Sequence, residues 1–402
     1  MRTVPHKRVG CVLGLVAAVS LALVGCAPPK PVELKETREG MTTEVLVRVI
    51  AVSRPAAERA LAAAWKEMDE CVERLDRHRP DSDVSRASAE AGQFSVSVDP
   101  LVTSCLLAAR EVYDLTGGAF DPTVAPLLDL WSEAQDRGRE PTEEELAAAR
   151  ALVGLDRMEM EAFLVQKSPA DLTSLSPGPG PHPSGNLARP MDLVALPEKG
   201  MALDLGGIAK GYIIGRMVQR MAQQGIVAAL VDAGGDVQTM GERPMNLAPG
   251  GDRRWAVGIQ DPRYPDDPTR LYTVVRVRDQ AIVTSGHYAR GYTIGDRRYS
   301  HILDPRTGRP VDTRLASVTV VAPDAATADG LATGIAVLGV EKGMELVERL
   351  DGVECLLLET DPAAPPEADG KPALVAHRSS GFAVLEFRPG EVARPPECPV
   401  CY

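Results

Sequence analysis

Aromatic side chains are scarce in this sequence, and the 44 Lys and Arg residues are outnumbered by 56 Asp and Glu residues. Phe, Trp and Tyr together make up 4% of the residues, so the core must consist mainly of Leu, Val and Ala. The formal net charge is −12, whereas the hydrophobic share of 44% is ordinary for a globular protein. Excess negative charge opposes binding to a phosphate backbone or to an anionic membrane surface. We therefore expect no nucleic-acid partner.

The sequence also lacks an apolar run long enough for a comfortable membrane span. Basic residues at positions 2, 7 and 8 precede a short apolar stretch, Val9–Val24, which leads into "LVGC" ending at Cys26. This is the pattern of a bacterial lipoprotein signal, and the alternative is an ordinary secretory signal with a chance cysteine. We predict that residues 1–25 are removed, that Cys26 carries a lipid, and that residues 26–40 form a tether. The protein is then expected in the bacterial cell envelope, lipid-anchored to a membrane and facing the periplasm.

The seven cysteines show little sign of a metal site. Cys398 and Cys401 form a single CxxC in a tail over residues 391–402, with neither a second pair for zinc nor a following His for haem attachment. A local disulfide is the simpler interpretation in an oxidising compartment. The three cysteines in predicted helices and a predicted strand are interpreted as small core residues, and they are Cys71, Cys105 and Cys355.

Hydrophobic periodicity and capping signals predict a mixture of helices and strands. Helices are predicted near residues 55–77, near residues 100–115 after an Asp99 cap, from the "TEEE" capping box at residues 142–145 onward, and near residues 210–224, 324–339 and 341–350. Strands are predicted near residues 42–52 and in "IVAALVDAGGDVQ", "RWAVGIQDP", "YTVVRVRDQAIVTSG", "ASVTVVAP", "VECLLLE" and "FAVLEF". Because they do not alternate regularly, we expect an α+β (mixed α/β) fold with mixed sheets flanked by helices, in one domain over residues 41–390. Residues 163–190 are rich in Pro, Gly and Ser and predict a flexible insertion within this domain.

The stretch "MALDLGGIAKGY" (Met201–Tyr212) combines groups that favour a phosphate with one that repels it. Gly206 and Gly207 allow the backbone to approach a bulky ligand, because no Cβ stands in the way. Lys210 supplies a positive charge that suits a phosphate. Asp204 would repel the same phosphate. Either this acid binds another part of the ligand, or a metal ion lies between them.

Three further segments contain candidate ligand-binding groups. Asp329 and Thr333 lie four residues apart on a predicted helix, so they share one face, and two hard oxygens suit Mg²⁺. A solvated helix face would show the same pair. His301, just before "ILDP", is a candidate proton acceptor for a hydroxyl nucleophile, although a histidine at a strand end is more often structural. "GGAFDP" (Gly117–Pro122) is either a simple turn or a wall on which a flat ring stacks.

Taken together, these motifs resemble one protein family. A lipoprotein signal is followed in order by "RPDSDVSR", "GGAFDPTVAPLLDLW", "DLGGIAKGY", "VDAGGDV", "VGIQDP", "TSGHYARGY", "YSHILDPRTGRPV" and "ADGLATGIAVLG". Over roughly Met41–Gly339, apart from the insertion, the chain resembles the FAD:protein FMN transferases, the ApbE-like flavin transferase family. The resemblance implies an ApbE-like fold and a Mg²⁺-dependent enzyme. Such an enzyme transfers the FMN half of FAD to a Thr or Ser hydroxyl on a flavin-accepting redox protein and releases AMP.

The resemblance also implies roles for individual residues, by motif position. Asp329 and Thr333 would bind Mg²⁺ through their side chains, and Gly207 through its backbone carbonyl. Asp204 and Lys210 would contact FAD. Five further positions match residues that line the flavin or adenine pocket, and they are Met41, Ala119, Phe120, Asp121 and Leu303.

Two histidines complete the predicted site. His78 stands where the family often has an aromatic residue before "RPDS", and it is expected to stack on the cofactor more weakly. His301 would assist the attack of the acceptor hydroxyl. Two alternatives remain open: an FAD pyrophosphatase that yields FMN and AMP, and a lipoprotein that binds FAD without catalysis. The presence of Asp329, Thr333 and Lys210 disfavours the second, because storage needs none of them.

Overall fold

The computed structural model describes most of the chain. The predicted signal with Cys26, the insertion over residues 163–190, and the tail with Cys398 and Cys401 lie outside the described residues. Within the described part, no helix has both the length and the apolar character needed to cross a membrane. The described ranges are residues 30–161, 191–248, 251–286, 291–311 and 314–387.

An eight-stranded antiparallel sheet forms the centre of the fold, in the order β1-β2-β6-β7-β10-β15-β16-β17. The smaller sheets are β3-β5-β4 and the pairs β8-β9, β11-β12 and β13-β14. In chain order the strands are β1 Val32–Gly40, β2 Thr43–Ala51, β3 Val96–Val98, β4 Glu159–Glu161, β5 Asp192–Ala195, β6 Ala228–Ala233, β7 Asp236–Met240, β8 Trp255–Gln260, β9 Leu271–Val277, β10 Ala281–Gly286, β11 Gly291–Ile294, β12 Arg297–Ser300, β13 Leu303–Asp304, β14 Arg309–Pro310, β15 Leu315–Ala322, β16 Glu354–Asp361 and β17 Ala373–Arg378.

Helices flank the sheets, as the sequence predicts. In chain order they are α1 Arg54–Leu75, α2 Asp83–Ala89, α3 Pro100–Thr116, α4 Ala125–Arg137, α5 Glu143–Arg150, α6 Ala209–Ala222, α7 Ala325–Val347 and α8 Phe382–Leu385, with 3₁₀ turns at Leu155–Arg157 and Met245–Leu247. The mixed α/β architecture is therefore confirmed. The predicted helices at 324–339 and 341–350 are confirmed as the two helical segments of α7, which are separated by a kink where Gly339 has non-helical backbone angles (φ 80°, ψ −179°).

The large sheet is buried on both faces, and β6 shows this most clearly. Ala229 and Val231 point into the main core, which α1, α6 and α7 cover. Ala228 and Leu230 point the other way, into a second core that also contains residues of β8 and β9. Side chains of a strand alternate between faces, so a strand covered on both sides is apolar throughout. This explains why residues 226–231, "IVAALV", form an unbroken apolar run before Asp232 and the turn that follows β6.

A third, smaller core joins α4 and α5 to the hairpins β11-β12 and β13-β14. Its centre is Trp131, fully buried between Leu127 and Leu303. The indole N–H of Trp131 donates a hydrogen bond to the carbonyl of Gly308 (2.8 Å). The segment "DPRTGRP" forms the β13-β14 hairpin, as its turn residues predict. This core fixes the hairpin that follows His301.

Local capping predictions are confirmed at two helices. The Asp99 carboxylate accepts a hydrogen bond from the N–H of Leu101 (2.9 Å), at the start of α3. Thr142 and Glu145 form a reciprocal capping box at α5. Both motifs depend only on residues within one helical turn, which is why a local sequence pattern predicts them.

The structure corrects two predictions. The tether predicted over residues 26–40 is a strand from Val32 onward, because β1 pairs with β2 along nine residues and its charged side chains suit an exposed sheet edge. The predicted strand "FAVLEF" begins with a helical turn instead, α8. Phe382 is fully buried in the second core, whereas Val384 is 75% exposed, so the segment does not have the buried alternating face of a strand.

Candidate active site

Helices α6 and α7 approach each other closely at Gly211, in the first turn of α6. A Cβ atom on Gly211 would lie 2.6 Å from the carbonyl carbon of Ala325 and 2.8 Å from the Cβ of Asp329. Any larger residue would overlap these atoms, so this contact requires glycine. The N–H of Gly211 donates a hydrogen bond to the Asp329 carboxylate (2.9 Å). The N-terminal end of α6, which favours negative charge, is therefore joined to an acidic side chain on α7.

Three oxygen atoms that could bind a metal ion lie together beside this contact, two from side chains of α7 and one from the backbone of the glycine loop before α6. Thr333 donates its hydroxyl hydrogen to the carbonyl oxygen of Gly207 (3.4 Å). Asp329 lies one turn before Thr333 on the same face of α7. A carboxylate, a hydroxyl and a carbonyl are hard oxygen ligands, which fits Mg²⁺ with its remaining positions filled by water or substrate. Within the described residues no three His, Cys, Asp or Glu side chains are grouped as a metal site, so the fit rests on a single carboxylate.

Buried carboxylates surround this group of oxygens. The pKa of Asp329 is raised to about 7: burial is the largest cause and nearby Asp236 adds to it, while Lys210 and the N–H of Gly211 lower it. Burial likewise raises the pKa of Asp236, and it raises the pKa of Asp232 to about 6. In each case desolvation disfavours the charged form. A cation bound among these acids would offset that cost, which is a second reason why the site fits a metal ion.

Lys210 lies where these buried acids meet solvent. Its ammonium group forms an ion pair with Asp236, whose side chain is buried, while the lysine side chain is 33% exposed. The N–H of Thr284 on β10 also donates a hydrogen bond to Asp236. The turn that precedes Asp236 is fixed in a similar way, because the N–H of Gly235 donates to the Asp232 carboxylate (2.8 Å). Lys210 is thus held against the central strands β7 and β10, with part of its surface accessible to a ligand.

The Asp204 carboxylate is held by a network that the sequence analysis missed. One oxygen accepts a hydrogen bond from the N–H of Gly206 (2.7 Å), and the other accepts from Arg77 (3.1 Å). Arg77 also donates to both carboxylate oxygens of Asp129 on α4 (2.7 and 2.9 Å). Tyr292 on β11 is close enough that both acids raise its pKa, although burial is the larger cause, and the result is about 12. Arg77 therefore connects three separate segments around Asp204.

Phe120 forms the wall beside Gly207. A Cβ atom on Gly207 would lie 3.3 Å from Cε2 of Phe120, and one on Gly334 would lie 3.4 Å from the Cβ of Phe120. Ala119 is buried next to it. The loop after α3 therefore packs directly against the glycine loop and α7. This contact places one edge of the Phe120 ring next to the candidate metal-binding oxygens of Gly207 and Thr333.

Asp121 has its carboxylate engaged within its own loop. One oxygen accepts hydrogen bonds from the N–H and the hydroxyl of Thr123 (2.8 and 2.6 Å), and the other accepts from the N–H of Leu155 (3.2 Å). Burial raises the pKa of Asp121, and these hydrogen bonds lower it. In this geometry the side chain shapes the loop that holds Phe120.

Comparison with known proteins identifies the family. The sequence model of the ApbE family matches residues 41–357. The chain belongs to the ApbE family. It is 33% identical over 332 residues to the FAD:protein FMN transferase of Treponema pallidum, covering 81% of this chain and 84% of that protein. It is 30% identical over 352 residues to the protein of the same name from Vibrio cholerae, covering 86% and 94%.

Solved structures agree with this assignment. The flavinyl transferase ApbE of Pseudomonas stutzeri, solved in its apo form, superimposes with a TM-score of 0.68 at 26% identity. The match covers 88% of this chain and 97% of that one. Both the family and the ApbE-like fold predicted from the sequence are therefore confirmed.

In this ApbE-family protein, Met41 lies at the end of the sheet that holds the buried acids. Met41 and Thr42 form the turn between β1 and β2, and both have positive φ angles (52° and 62°). Such angles are uncommon outside glycine and match a tight two-residue hairpin turn. A Cβ atom on Gly234, in the turn after β6, would overlap the side chain of Thr43. The turn that contains Met41 therefore lies against the acidic turn after β6.

The remaining predicted residues lie on neighbouring segments. His78 is exposed and directly follows Arg77, and its N–H donates to the Asp76 carboxylate (2.8 Å). Leu303 is 5% exposed and packs in the third core. His301 is half-buried between β12 and β13, two residues before Leu303. The contacts join Asp204, Gly207, Lys210, Phe120, Asp329 and Thr333 into one site, with Met41 at the adjoining turn.

Proposed function

We propose that this protein transfers the FMN half of FAD to a Thr or Ser hydroxyl of an acceptor protein, with Mg²⁺ required and AMP released. The observation that supports this most directly is the group of three oxygens at Asp329, Thr333 and Gly207, beside the partly exposed Lys210. The reaction breaks a diphosphate, so negative charge must be neutralised in the transition state. An acidic site provides that neutralisation only when it binds a cation.

The proposed chemistry divides the work between the ion and the chain. Mg²⁺, held by Asp329, Thr333 and the Gly207 carbonyl, would neutralise the diphosphate when bound. Lys210 would approach a phosphate oxygen from the solvent side, and Asp204 would accept a hydrogen bond from a ring or ribose group of FAD. Because Arg77 already orients Asp204, the carboxylate needs little rearrangement when the substrate binds.

In the transfer step, the acceptor hydroxyl oxygen forms a bond to the phosphorus of the FMN half. The bond from that phosphorus to the bridging oxygen breaks, and AMP departs with the electron pair. We propose that His301 accepts the hydroxyl proton. The flavin or adenine would lie against the residues predicted from the family pattern, which are Met41, His78, Ala119, Phe120, Asp121 and Leu303. If His301 acts as this base, His301→Gln would remove the acidic limb of the pH profile of kcat/KM, and an unchanged limb would contradict the role.

We also propose where the reaction takes place. The sequence pattern around Cys26 supports export and a lipid anchor, with a periplasmic or membrane redox protein as the acceptor. A Cys26→Ser variant would move from the membrane fraction to the soluble fraction of cells. Retention of that variant in the membrane would contradict the anchor without affecting the proposed chemistry.

The experiment that tests the function uses the purified protein with FAD, Mg²⁺ and a library of peptides, each containing one threonine. The expected product is a fluorescent, acid-stable flavin–peptide adduct detected by gel and mass spectrometry, with one AMP per adduct. EDTA would stop its formation, and peptides with alanine in place of threonine would remain unlabelled. Free FMN and AMP without an adduct would instead indicate a pyrophosphatase. Unaltered bound FAD would indicate a carrier, and either result would refute transfer.

A further inference from the structure

A cavity of about 340 Å³ lies beyond Thr333, and none of the residues assigned to FAD or Mg²⁺ above lines it. It opens between the β13-β14 hairpin, the first residue of β15 and the second half of α7. Its apolar lining includes Val311, Leu315, Ala336 and Val337. A volume of this size accommodates a large side chain or a small ring.

The cavity and the proposed metal ligands share one face of α7. Ala336 and Val337 lie three and four residues after Thr333, so their side chains emerge beside it, one turn further along the helix. Four residues of helix correspond to about 6 Å. An extended polypeptide advances about 3.3 Å per residue, so a residue bound in the cavity would lie about two positions from a residue at Thr333.

The charges of the lining disfavour a phosphate in this cavity. Asp304 and Glu359 contribute carboxylates, and Arg314 contributes one guanidinium. Asp304 is paired with Arg306 (2.8 Å), and Glu359 lies 3.3 Å from the imidazole of His377. Because Arg306 offsets the charge of Asp304 and Arg314 offsets that of Glu359, the cavity has almost no net positive charge to attract an anionic part of FAD, whereas a neutral side chain would meet the apolar surface. This favours a polypeptide over the dinucleotide as occupant.

We propose that this cavity receives an apolar side chain of the acceptor polypeptide, about two residues from the threonine or serine that is modified. This rests on the proposed transfer function. The acceptor chain would run along α7 and position its hydroxyl oxygen at the phosphorus of the FMN half. The bonds formed and broken are those of the transfer step above, with AMP leaving and the hydroxyl proton passing to His301. The cavity thereby selects the acceptor sequence and takes no part in binding FAD.

The test changes the size of the cavity at Val337, which is half-buried and lines it. Val337→Trp fills it and Val337→Ala enlarges it, while Val384→Trp adds the same bulk at a residue that is 75% exposed on α8. Each protein is incubated with FAD, Mg²⁺ and a library of twelve-residue peptides, each with one central threonine and randomised flanking positions. The labelled peptides are sequenced by mass spectrometry. FAD affinity is measured separately by flavin fluorescence, and folding by the midpoint of thermal unfolding.

We expect Val337→Trp to reduce peptide labelling at least tenfold, with the Kd for FAD unchanged within about twofold. Val337→Ala is expected to shift the preference at one fixed flanking position towards larger apolar residues, and Val384→Trp to behave like the unsubstituted protein. Identical labelling rates and preferences in all proteins would overturn the proposal. So would a fivefold or greater weakening of FAD binding in either Val337 variant, which would assign the cavity to FAD. If the unsubstituted protein labels no peptide, the proposed function itself fails, and this inference fails with it.

Discussion

Gly211 gives the most direct test of how the active site is assembled. Gly211→Ala would place a methyl group against the backbone of Ala325 and the Cβ of Asp329, at 2.6 and 2.8 Å from the nearest carbon atoms. Helix backbone cannot move aside as the end of a flexible side chain can. Overpacking of this kind costs about 1–3 kcal/mol. Loss of the Gly211–Asp329 hydrogen bond, whose acceptor is a carboxylate, adds about 1.5–3 kcal/mol.

Gly215, one turn later on α6, is a matched control. A Cβ atom there would meet no other atom within 4 Å. Replacing an unhindered helical glycine with alanine is stabilising by about 0.5–1 kcal/mol. The same intrinsic gain applies to Gly211→Ala, so its net effect is a loss of about 1.5–5.5 kcal/mol. One substitution at two positions of one helix should therefore change stability in opposite directions.

The assay compares the thermal unfolding midpoints of the three proteins without Mg²⁺, and then the shift in midpoint that Mg²⁺ produces. Gly211→Ala should have the lowest midpoint and the smallest Mg²⁺ shift, because Asp329 is displaced together with α7. Gly215→Ala should have a midpoint at or above that of the unsubstituted protein, with a normal Mg²⁺ shift. Equal midpoints for the two variants would refute the close packing of α6 on α7.

Three other substitutions are predicted from the same structure. Asp329→Asn should abolish Mg²⁺-dependent turnover yet raise the unfolding midpoint at pH 8, because burial raises the pKa of this acid to about 7 and disfavours its charged form. Arg77→Met should raise the KM for FAD about tenfold with a smaller change in kcat, because Asp204 loses its orienting partner. Glu67→Gln should lower the midpoint at pH 7 by the equivalent of about 1–3 kcal/mol, because Arg216 and Arg220 would be left beside a neutral side chain.

The effect at Glu67 should depend on pH in a defined direction. Burial raises the pKa of Glu67, but the two arginines outweigh it, and the pKa is lowered overall. The stabilisation is therefore fully present above the ordinary glutamate pKa and is lost as the pH falls through the lowered one. The midpoints of the unsubstituted protein and Glu67→Gln should begin to converge below about pH 4 and should meet once the pH lies below the lowered pKa. Glu58→Gln, on the same helix in an exposed ion pair, should show almost no difference at any pH.

Two outcomes would contradict the other predictions. Full Mg²⁺-dependent activity in Asp329→Asn would remove the carboxylate from the proposed metal site. An unchanged KM for FAD in Arg77→Met would show that Asp204 needs no orienting partner or does not contact the substrate. Arg349→Met, which removes an exposed arginine on a distant surface, serves as the control for general effects of the substitution.

Local patterns predict those parts of the molecule that depend on neighbouring residues in the chain. The Thr142 capping box and the pairing of Asp329 with Thr333 on one helix face each follow from helical geometry over a few residues. The contact between Thr333 and Gly207 joins positions far apart in the sequence. Only the family resemblance predicted this contact, because the spacing of residues in a sequence does not show which helix packs against which distant loop.

The features missed by the sequence analysis are long-range pairings and strand edges. Arg77 and Asp204 are 127 residues apart, and nothing in the sequence around either residue indicates the other. Asp121 matches a family position, but only the structure shows its carboxylate held by Thr123 within its own loop. The charged, proline-preceded segment from Val32 has the composition of a linker, and it becomes a strand only because β2 offers it a pairing partner.

With the proposed lipid on Cys26, the edge strand β1 would limit how far the enzyme can reach from the membrane. If Cys26 holds the lipid, the folded sheet begins at Val32, so six Cα steps separate the anchor from the first paired residue. Fully extended, these steps span about 20 Å, less than the thickness of a bilayer. The folded domain would therefore be held within about 20 Å of the lipid headgroups. Acceptors embedded in or lying on the same membrane would then meet it far more often than freely diffusing ones.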